Sequence, residues 1–208
     1  MVFGIPRLYA IIDAAQSGSR SSVALAEALI AAGVRLIQYR DKTGSSRQIF
    51  DVSCEIARRV QNSKGIFIVN DRADIAHAVG ANGVHLGQDD LSIRQARRVL
   101  APGQWVGLST HNLSQVVEAD VAQADYIAFG PVFSTRSKER PDPVVGLETL
   151  REARKRTSRP LVAIGGITLA NARSVIEAGA DSVAVIQDLL GAEDVAARAR
   201  EFLEVVGE

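Results

Sequence analysis

The sequence predicts an α/β fold, a single (β/α)8 barrel over residues 1–208, and three observations carry that prediction. Short apolar, β-branched runs alternate with helical stretches along the whole chain, the pattern of a parallel sheet joined by right-handed crossovers. Eight such units can be marked out, the number that closes a barrel. No composition shift or low-complexity segment divides the chain, and 208 residues lies near the small end of the range for this fold. A doubly wound open sheet is the alternative. It ranks lower because no dinucleotide-type glycine fingerprint follows the first strand.

The units follow in order. LYAIID at Leu8–Asp13 is a strand, followed by a Gly/Ser-rich loop through Ser22 and an amphipathic helix over 23–32 that Gly33 stops. Leu36–Arg40 is the second strand, and 45–61 the next helix. A short β-branched run at 66–69 ends on Asn70-Asp71, a helical pattern covers 74–79, and Gly83–Leu86 is a second short apolar run that ends on Gly87-Gln88-Asp89-Asp90. Ser92 is an N-cap residue for a helix over 92–100. Strands at 105–109 and 126–130 flank a helix at 113–122. A long, polar, proline-containing loop at 131–145 leads to a mixed-charge helix at 146–157. The strand at 160–164 runs into Gly165-Gly166. A helix at 171–178 is closed by Gly179, and the strand at 182–186 and the helix at 193–206 complete the chain. Short apolar strands of this kind suit a sheet covered on both faces.

Composition narrows the function classes. Lys+Arg and Asp+Glu both number 24, so no bulk charge points to nucleic acid or a membrane surface. The 47% hydrophobic content is that of an ordinary globular protein with a sizeable core. Cys54 is the only cysteine, which excludes an internal disulfide framework and fits a reducing compartment; within a helical pattern it reads as a small core residue. Neither a signal-peptide pattern nor an apolar run of bilayer length is found, so the expectation is a cytoplasmic protein. The oligomeric state stays open, a homo-oligomer included.

In this fold, chemistry gathers on the loops that follow the strands. Asp71 and Asp90 stand just past the ends of two consecutive strands. One aspartate in such a place is accounted for as a cap or turn residue. A pair delivered by neighbouring strand ends suits a hard divalent cation such as Mg²⁺, which keeps waters and is shared with substrate phosphates. Strand alternation places Gln38, Arg40 and Lys42 on one inward side, where apolar residues are the rule, and cations beside carboxylates can clamp a diphosphate. Ser109 is a phosphate donor or a turn residue in equal measure. His111 reads as a loop histidine and His85 as a core or supporting one. Thr135, Ser137 and Lys138 in the long loop read as a phosphate grip or part of a lid. Gly165-Gly166 allows close backbone approach, and the loops after strands seven and eight, with Ile186-Gln187, form a frequent phosphate site. Two phosphate regions across one mouth suggest two phosphorylated substrates joined there.

The motifs Q-x-R-x-K at 38–42, V-N-D-R at 69–72, G-V-H-L-G-Q-x-D at 83–90, S-T-H at 109–111, G-P-V-F-x-T-x-S-K at 130–138 and A-I-G-G-I at 163–167 resemble thiamine-phosphate synthase, in order and over nearly the whole chain. The resemblance implies a transferase of thiamine biosynthesis that joins a hydroxymethylpyrimidine diphosphate to a (carboxy)thiazole phosphate and releases pyrophosphate with Mg²⁺. It implies that the segment Gln38, Tyr39, Arg40, Asp41 and Lys42 binds the pyrimidine diphosphate with Asn70 and Ser109, and that Asp71 and Asp90 hold Mg²⁺. It further implies that Thr135, Ser137, Gly166, Ile186 and Gln187 contact the thiazole phosphate, and that Arg40, Lys42 and Lys138 stabilise the departing diphosphate. The implied chemistry is dissociative, with no protein nucleophile. Ser137 stands where the family more often has Thr, which keeps the hydroxyl; Gln187 stands where it usually has Ser, and can serve through its backbone N–H. A thiazole tautomerase of the same fold, which needs no diphosphate clamp, and a barrel that binds thiamine phosphate without turnover are the rival readings. A generic phosphate-binding isomerase barrel is a weaker third.

Overall fold

The computed structural model describes residues 4–135 and 142–208. Eight parallel strands close a barrel in sequence order: β1 (Leu8–Asp13), β2 (Leu36–Arg40), β3 (Ile66–Asn70), β4 (Gly83–Leu86), β5 (Trp105–Thr110), β6 (Tyr126–Phe129), β7 (Leu161–Ala163) and β8 (Ser182–Val185). Closure is direct, since β1 pairs with β2 on one side and with β8 on the other. The crossovers carry α1 (Ser22–Ala31), α2 (Ser46–Asn62), α3 (Ala73–Ala78), α4 (Ile93–Ala96), α5 (Leu113–Val121), α6 (Gly146–Arg156) and α7 (Leu169–Glu177); α8 (Gln187–Leu190) and α9 (Val195–Val206) follow β8.

The period of two along each strand makes two cores. Tyr9, Leu36, Ile68, Tyr126, Ala128, Val162 and Ala184 fill the barrel interior. Their neighbours in sequence, Leu8, Ile37, Phe67, Val69, Ile127 and Val183, face the helices and form the larger outer layer. Caps fix where helices begin. The Ser45 N–H donates to Gln48 Oε1 at 2.9 Å, and the Ser92 N–H donates to Gln95 Oε1 at 2.9 Å, each one half of a capping box.

Several boundaries differ from expectation for physical reasons. β3 includes Asn70, because the ladder to His85 of β4 outweighs the poor strand propensity of asparagine. The helix expected over 92–100 is regular only to Ala96, after which Arg98 and Val99 donate to Gln95 and Ala96, the tighter i to i+3 pattern. α7 starts two residues early, where the Thr168 N–H donates to Asn171 Oδ1 at 2.8 Å. The short α8 was not foreseen. Among the described residues no helix is long and apolar enough to cross a membrane.

Candidate active site

The C-terminal ends of β2, β3 and β4 bring together two cations and two carboxyls. Arg40, the last residue of β2, sits in register with Asp13, the last of β1, and its guanidinium pairs with the Asp13 carboxylate. Asp13 is 1% exposed and also accepts the Ala15 N–H at 3.0 Å, so Arg40 is held by a fixed anion. Lys42 Nζ pairs with Asp71 Oδ2. Asp71 has φ +61°, a left-handed backbone that asparagine and aspartate tolerate best, and its N–H donates to the His85 carbonyl at 2.8 Å. Its side chain interacts with that of Asp90. Burial pushes the Asp71 carboxyl above the ordinary carboxylate range; the facing Asp90 carboxyl adds to the shift and Lys42 opposes it. Asp90 Oδ2 accepts the Gly87 N–H at 2.7 Å, which folds the β4 loop under this pair.

Three further groups lie beside them. Asn70 is 9% exposed, and its Nδ2 has no hydrogen-bond partner among the described residues. A buried amide donor left in that state at a strand end marks a place for an acceptor that no described residue provides. Gln38 is 1% exposed and donates from Nε2 to Tyr9 Oη at 2.6 Å. Ser109, within β5, lies 2.9 Å from His85 Nε2 through its Oγ.

Tyr39 and Asp41 stand apart from this group. Alternation turns Tyr39 outward into the helix-facing core, and its hydroxyl donates to Asp41 Oδ2 at 3.2 Å. Asp41 builds the turn into α2. Burial works against its charge, yet the Thr43 and Gly44 N–H groups, at 2.9 and 2.8 Å, with the Tyr39 and Thr43 hydroxyls, hold its carboxyl below the ordinary range. The side chains of Tyr39 and Asp41 thus support the loop that presents Lys42.

The other side of the mouth is built by the loops after β6, β7 and β8. The Val132 and Phe133 N–H groups donate to Ile164 and Gly165, so the start of the β6 loop runs along the end of β7. Gly166 has φ +66°, and a Cβ there would stand 2.4 Å from the Ser134 carbonyl oxygen, so glycine lets the two loops touch. Thr135 follows Ser134, half-buried. His111 secures this loop from β5, with Nδ1 2.6 Å from the Gly130 carbonyl and Nε2 3.5 Å from Asp142. Ile186 caps α8 and Gln187 is its first residue; Asp188 Oδ2 accepts the Leu169 N–H at 2.7 Å, which ties α8 to the start of α7. Ser137 and Lys138 lie outside the described residues.

Comparison with known proteins adds a sequence criterion to this geometry. The family model described as thiamine monophosphate synthase matches residues 8–189. The thiamine-phosphate synthase of Koribacter versatilis (strain Ellin345) is 54% identical over 206 residues, covering 97% of this chain and 96% of the relative. The chain belongs to the thiamine-phosphate synthase family. The thiamine-phosphate synthase of Chloroflexus aurantiacus is 43% identical over 200 residues, covering 96% of this chain and 92% of its own. Among solved structures, the thiamine phosphate pyrophosphorylase of Pyrococcus furiosus superposes with a TM-score of 0.89 at 34% identity, covering 97% of this chain and 96% of that one. More distant barrels, such as a 3-hexulose-6-phosphate synthase at 18% identity and a TM-score of 0.68, share the fold alone.

Set in this family of enzymes, the mouth contains contributors that sequence reasoning passed over. Asp13 is the anion that holds Arg40, and its signal is the inward parity it shares with Tyr9 and Ile11 along β1. Tyr9 and Tyr126 look like ordinary core aromatics in sequence, yet their hydroxyls meet at 2.9 Å inside the barrel. A separate cavity beside Trp105, Asp125 and Arg159 opens at the N-terminal ends of the strands, the face associated with stability rather than chemistry.

Proposed function

We propose that the protein is a thiamine-phosphate synthase that condenses hydroxymethylpyrimidine diphosphate with a thiazole or carboxythiazole phosphate and releases pyrophosphate. The observation that carries this reading is the convergence of Arg40, Lys42, Asp71, Asp90 and the Asn70 amide, whose Nδ2 has no partner among the described residues, at three adjacent strand ends. A diphosphate meets cations, a neutral donor and the carboxylates for a counter-ion within one site.

The donor set fits Mg²⁺ held jointly with substrate. Among the described residues no third His, Cys, Asp or Glu joins Asp71 and Asp90 in a metal cluster, and Mg²⁺ characteristically takes one or two carboxylates and fills its remaining positions with water and phosphate oxygens. Burial first, and then the facing Asp90 carboxyl, disfavour charge on Asp71, and a divalent cation would relieve both. When bound, Mg²⁺ would supply charge neutralisation at the leaving diphosphate.

The roles of the chain's own residues follow. Arg40, fixed by Asp13, and Lys42 neutralise the diphosphate as its bond to the pyrimidine methylene breaks, and Asn70 donates from Nδ2 to one of its oxygens. Lys138 is assigned the same task from the long loop. Gln38 and Ser109 hold the heterocycle, while Tyr39 and Asp41 serve by shaping the segment that carries Arg40 and Lys42. The electron-rich aminopyrimidine carries the positive charge once pyrophosphate has left, and the thiazole nitrogen captures the methylene. Thr135, Ser137, Gly166, Ile186 and Gln187 hold the thiazole phosphate; the loops after strands seven and eight and a short extra helix are the usual phosphate site of this fold. Alignment of two bound partners and charge stabilisation supply the rate, so no nucleophile is required.

A cytoplasmic location and small-molecule partners alone, without nucleic acid or membrane, accompany this reading. The test is product formation: purified protein given both substrates and Mg²⁺ yields thiamine phosphate, identified by mass. Isomerisation of a thiazole phosphate without any condensation would replace this reading with the tautomerase one.

A further inference from the structure

A chain of hydrogen-bonding groups crosses the barrel interior beneath the mouth. Gln38 Nε2 donates to Tyr9 Oη at 2.6 Å; Tyr9 Oη meets Tyr126 Oη at 2.9 Å; Tyr126 Oη meets His85 Nδ1 at 2.9 Å; His85 Nε2 meets Ser109 Oγ at 2.9 Å. The groups come from β2, β1, β6, β4 and β5, and barrel interiors are ordinarily filled with branched apolar side chains. Tyr9 and Tyr126 are each 1% exposed and stand edge to face, and His85 stacks on Tyr126 with ring centroids 5.6 Å apart. Gly107 makes the room, since a Cβ there would stand 2.0 Å from Tyr126 Cζ.

The chain has a direction. Each phenol carries one hydrogen, and burial raises both phenols above their ordinary pKa, so both keep it. With Gln38 Nε2 donating to Tyr9, the Tyr9 hydrogen goes to Tyr126 and the Tyr126 hydrogen goes to His85 Nδ1. The opposite order between the two tyrosines would leave the Tyr9 hydrogen without an acceptor, because Gln38 and Tyr126 would then both donate to its oxygen. His85 Nδ1 is then an acceptor, Nε2 carries the ring hydrogen and donates to Ser109 Oγ, and Ser109 sends its own hydrogen elsewhere. At the other end, no described residue engages Gln38 Oε1.

We propose that Tyr9, Tyr126 and His85 are positioning residues that fix Gln38 as an acceptor and Ser109 as a donor toward the bound heterocycle, so that the site selects a pyrimidine with an amino group beside a ring nitrogen over one with an oxo group beside a ring N–H. This rests on the synthase reading for what occupies the mouth. The two heterocycles have nearly the same shape and opposite donor and acceptor patterns, so a site of fixed polarity accepts one and leaves unpaired groups against the other.

Two measurements test it. The first needs no substrate: ¹⁵N NMR of the imidazoles, with the His85 signals assigned by their loss in His85→Gln. The neutral Nε2–H tautomer is expected; the Nδ1–H tautomer or an imidazolium overturns the proposal. The second compares dissociation constants for the aminopyrimidine diphosphate and its oxo counterpart in the parent, Tyr9→Phe and Tyr126→Phe. Each phenylalanine is expected to cut the preference for the amino compound by at least about tenfold, because an unpinned Gln38 or Ser109 can present either polarity. An unchanged preference in both variants overturns the proposal, and so does a parent that binds the two compounds equally. Should the variants not fold, the parent's tautomer and preference still decide it. The Nε2–H tautomer with no binding of either pyrimidine would sink the synthase reading and the selectivity with it, whereas turnover of the aminopyrimidine with the wrong tautomer would sink the relay alone.

Discussion

Replacing Gly107 by alanine should damage stability and the mouth together. The added methyl would stand 2.0 Å from Tyr126 Cζ and 2.4 Å from its Cε2 and Oη. An ordinary carbon–carbon contact is about 3.5 Å, so the ring has to retreat by roughly 1.5 Å. Tyr126 is fully enclosed and cannot swing out to solvent. Overpacking of this kind costs about 1–3 kcal/mol, and the displaced hydroxyl weakens two buried hydrogen bonds worth about 1 kcal/mol each. A total of about 3–5 kcal/mol corresponds to a fall in Tm of roughly 10 °C for a chain of this size. Thermal unfolding followed by circular dichroism measures it, with Gly4→Ala as the control, since nothing lies within 4 Å of a Cβ there. Trimming Tyr126 to leucine in the same chain should make the two losses less than additive, because the clash is shared. A Gly107→Ala protein that melts within about 2 °C of the parent would refute the packing described for the barrel interior.

Other expectations can be checked alongside. Ser53 is fully buried on α2 and its Oγ has no partner among the described residues, so Ser53→Ala should raise stability by about 0.5–1.5 kcal/mol in urea titration; a loss would mean that the hydroxyl is satisfied. Asp71→Ala should impair turnover and its Mg²⁺ dependence far more than Tm; unchanged turnover removes Asp71 from the metal site. Asp13→Ala should raise KM for the pyrimidine diphosphate through loss of the anchor of Arg40, and an unaffected KM would show that Arg40 needs no anchor. Lys138→Ala should slow turnover more than Arg136→Ala, and equal effects would contradict the assignment made for the long loop.

Much of this architecture was legible because a parallel barrel writes a simple code. Each strand is a short apolar run, several helices carry caps, and the period of two sorts inward from outward residues. Gln38, Arg40 and Lys42 follow that parity, and Asp71 and Asp90 announce themselves as acids after strands. Contiguity misleads where parity decides: Tyr39 and Asp41 lie between these residues in sequence, yet the Tyr39 side chain faces the helices. The partners of the mouth were harder to see because closure creates them. Asp13 meets Arg40 only when β1 and β2 are in register. Tyr9 and Tyr126 stand 117 residues apart, and nothing local in either strand says that their hydroxyls meet. α8 has four residues and no capping side chain, so sequence carries little signal for it.

The central claim is that this mouth expels pyrophosphate from one substrate onto a second. The most direct measurement is pyrophosphate release by the purified protein, with each substrate and Mg²⁺ omitted in turn. The account predicts release that requires the pyrimidine diphosphate, the thiazole phosphate and the metal together. No release, with both substrates shown to bind, would contradict it and leave a barrel that holds thiamine phosphate without making it.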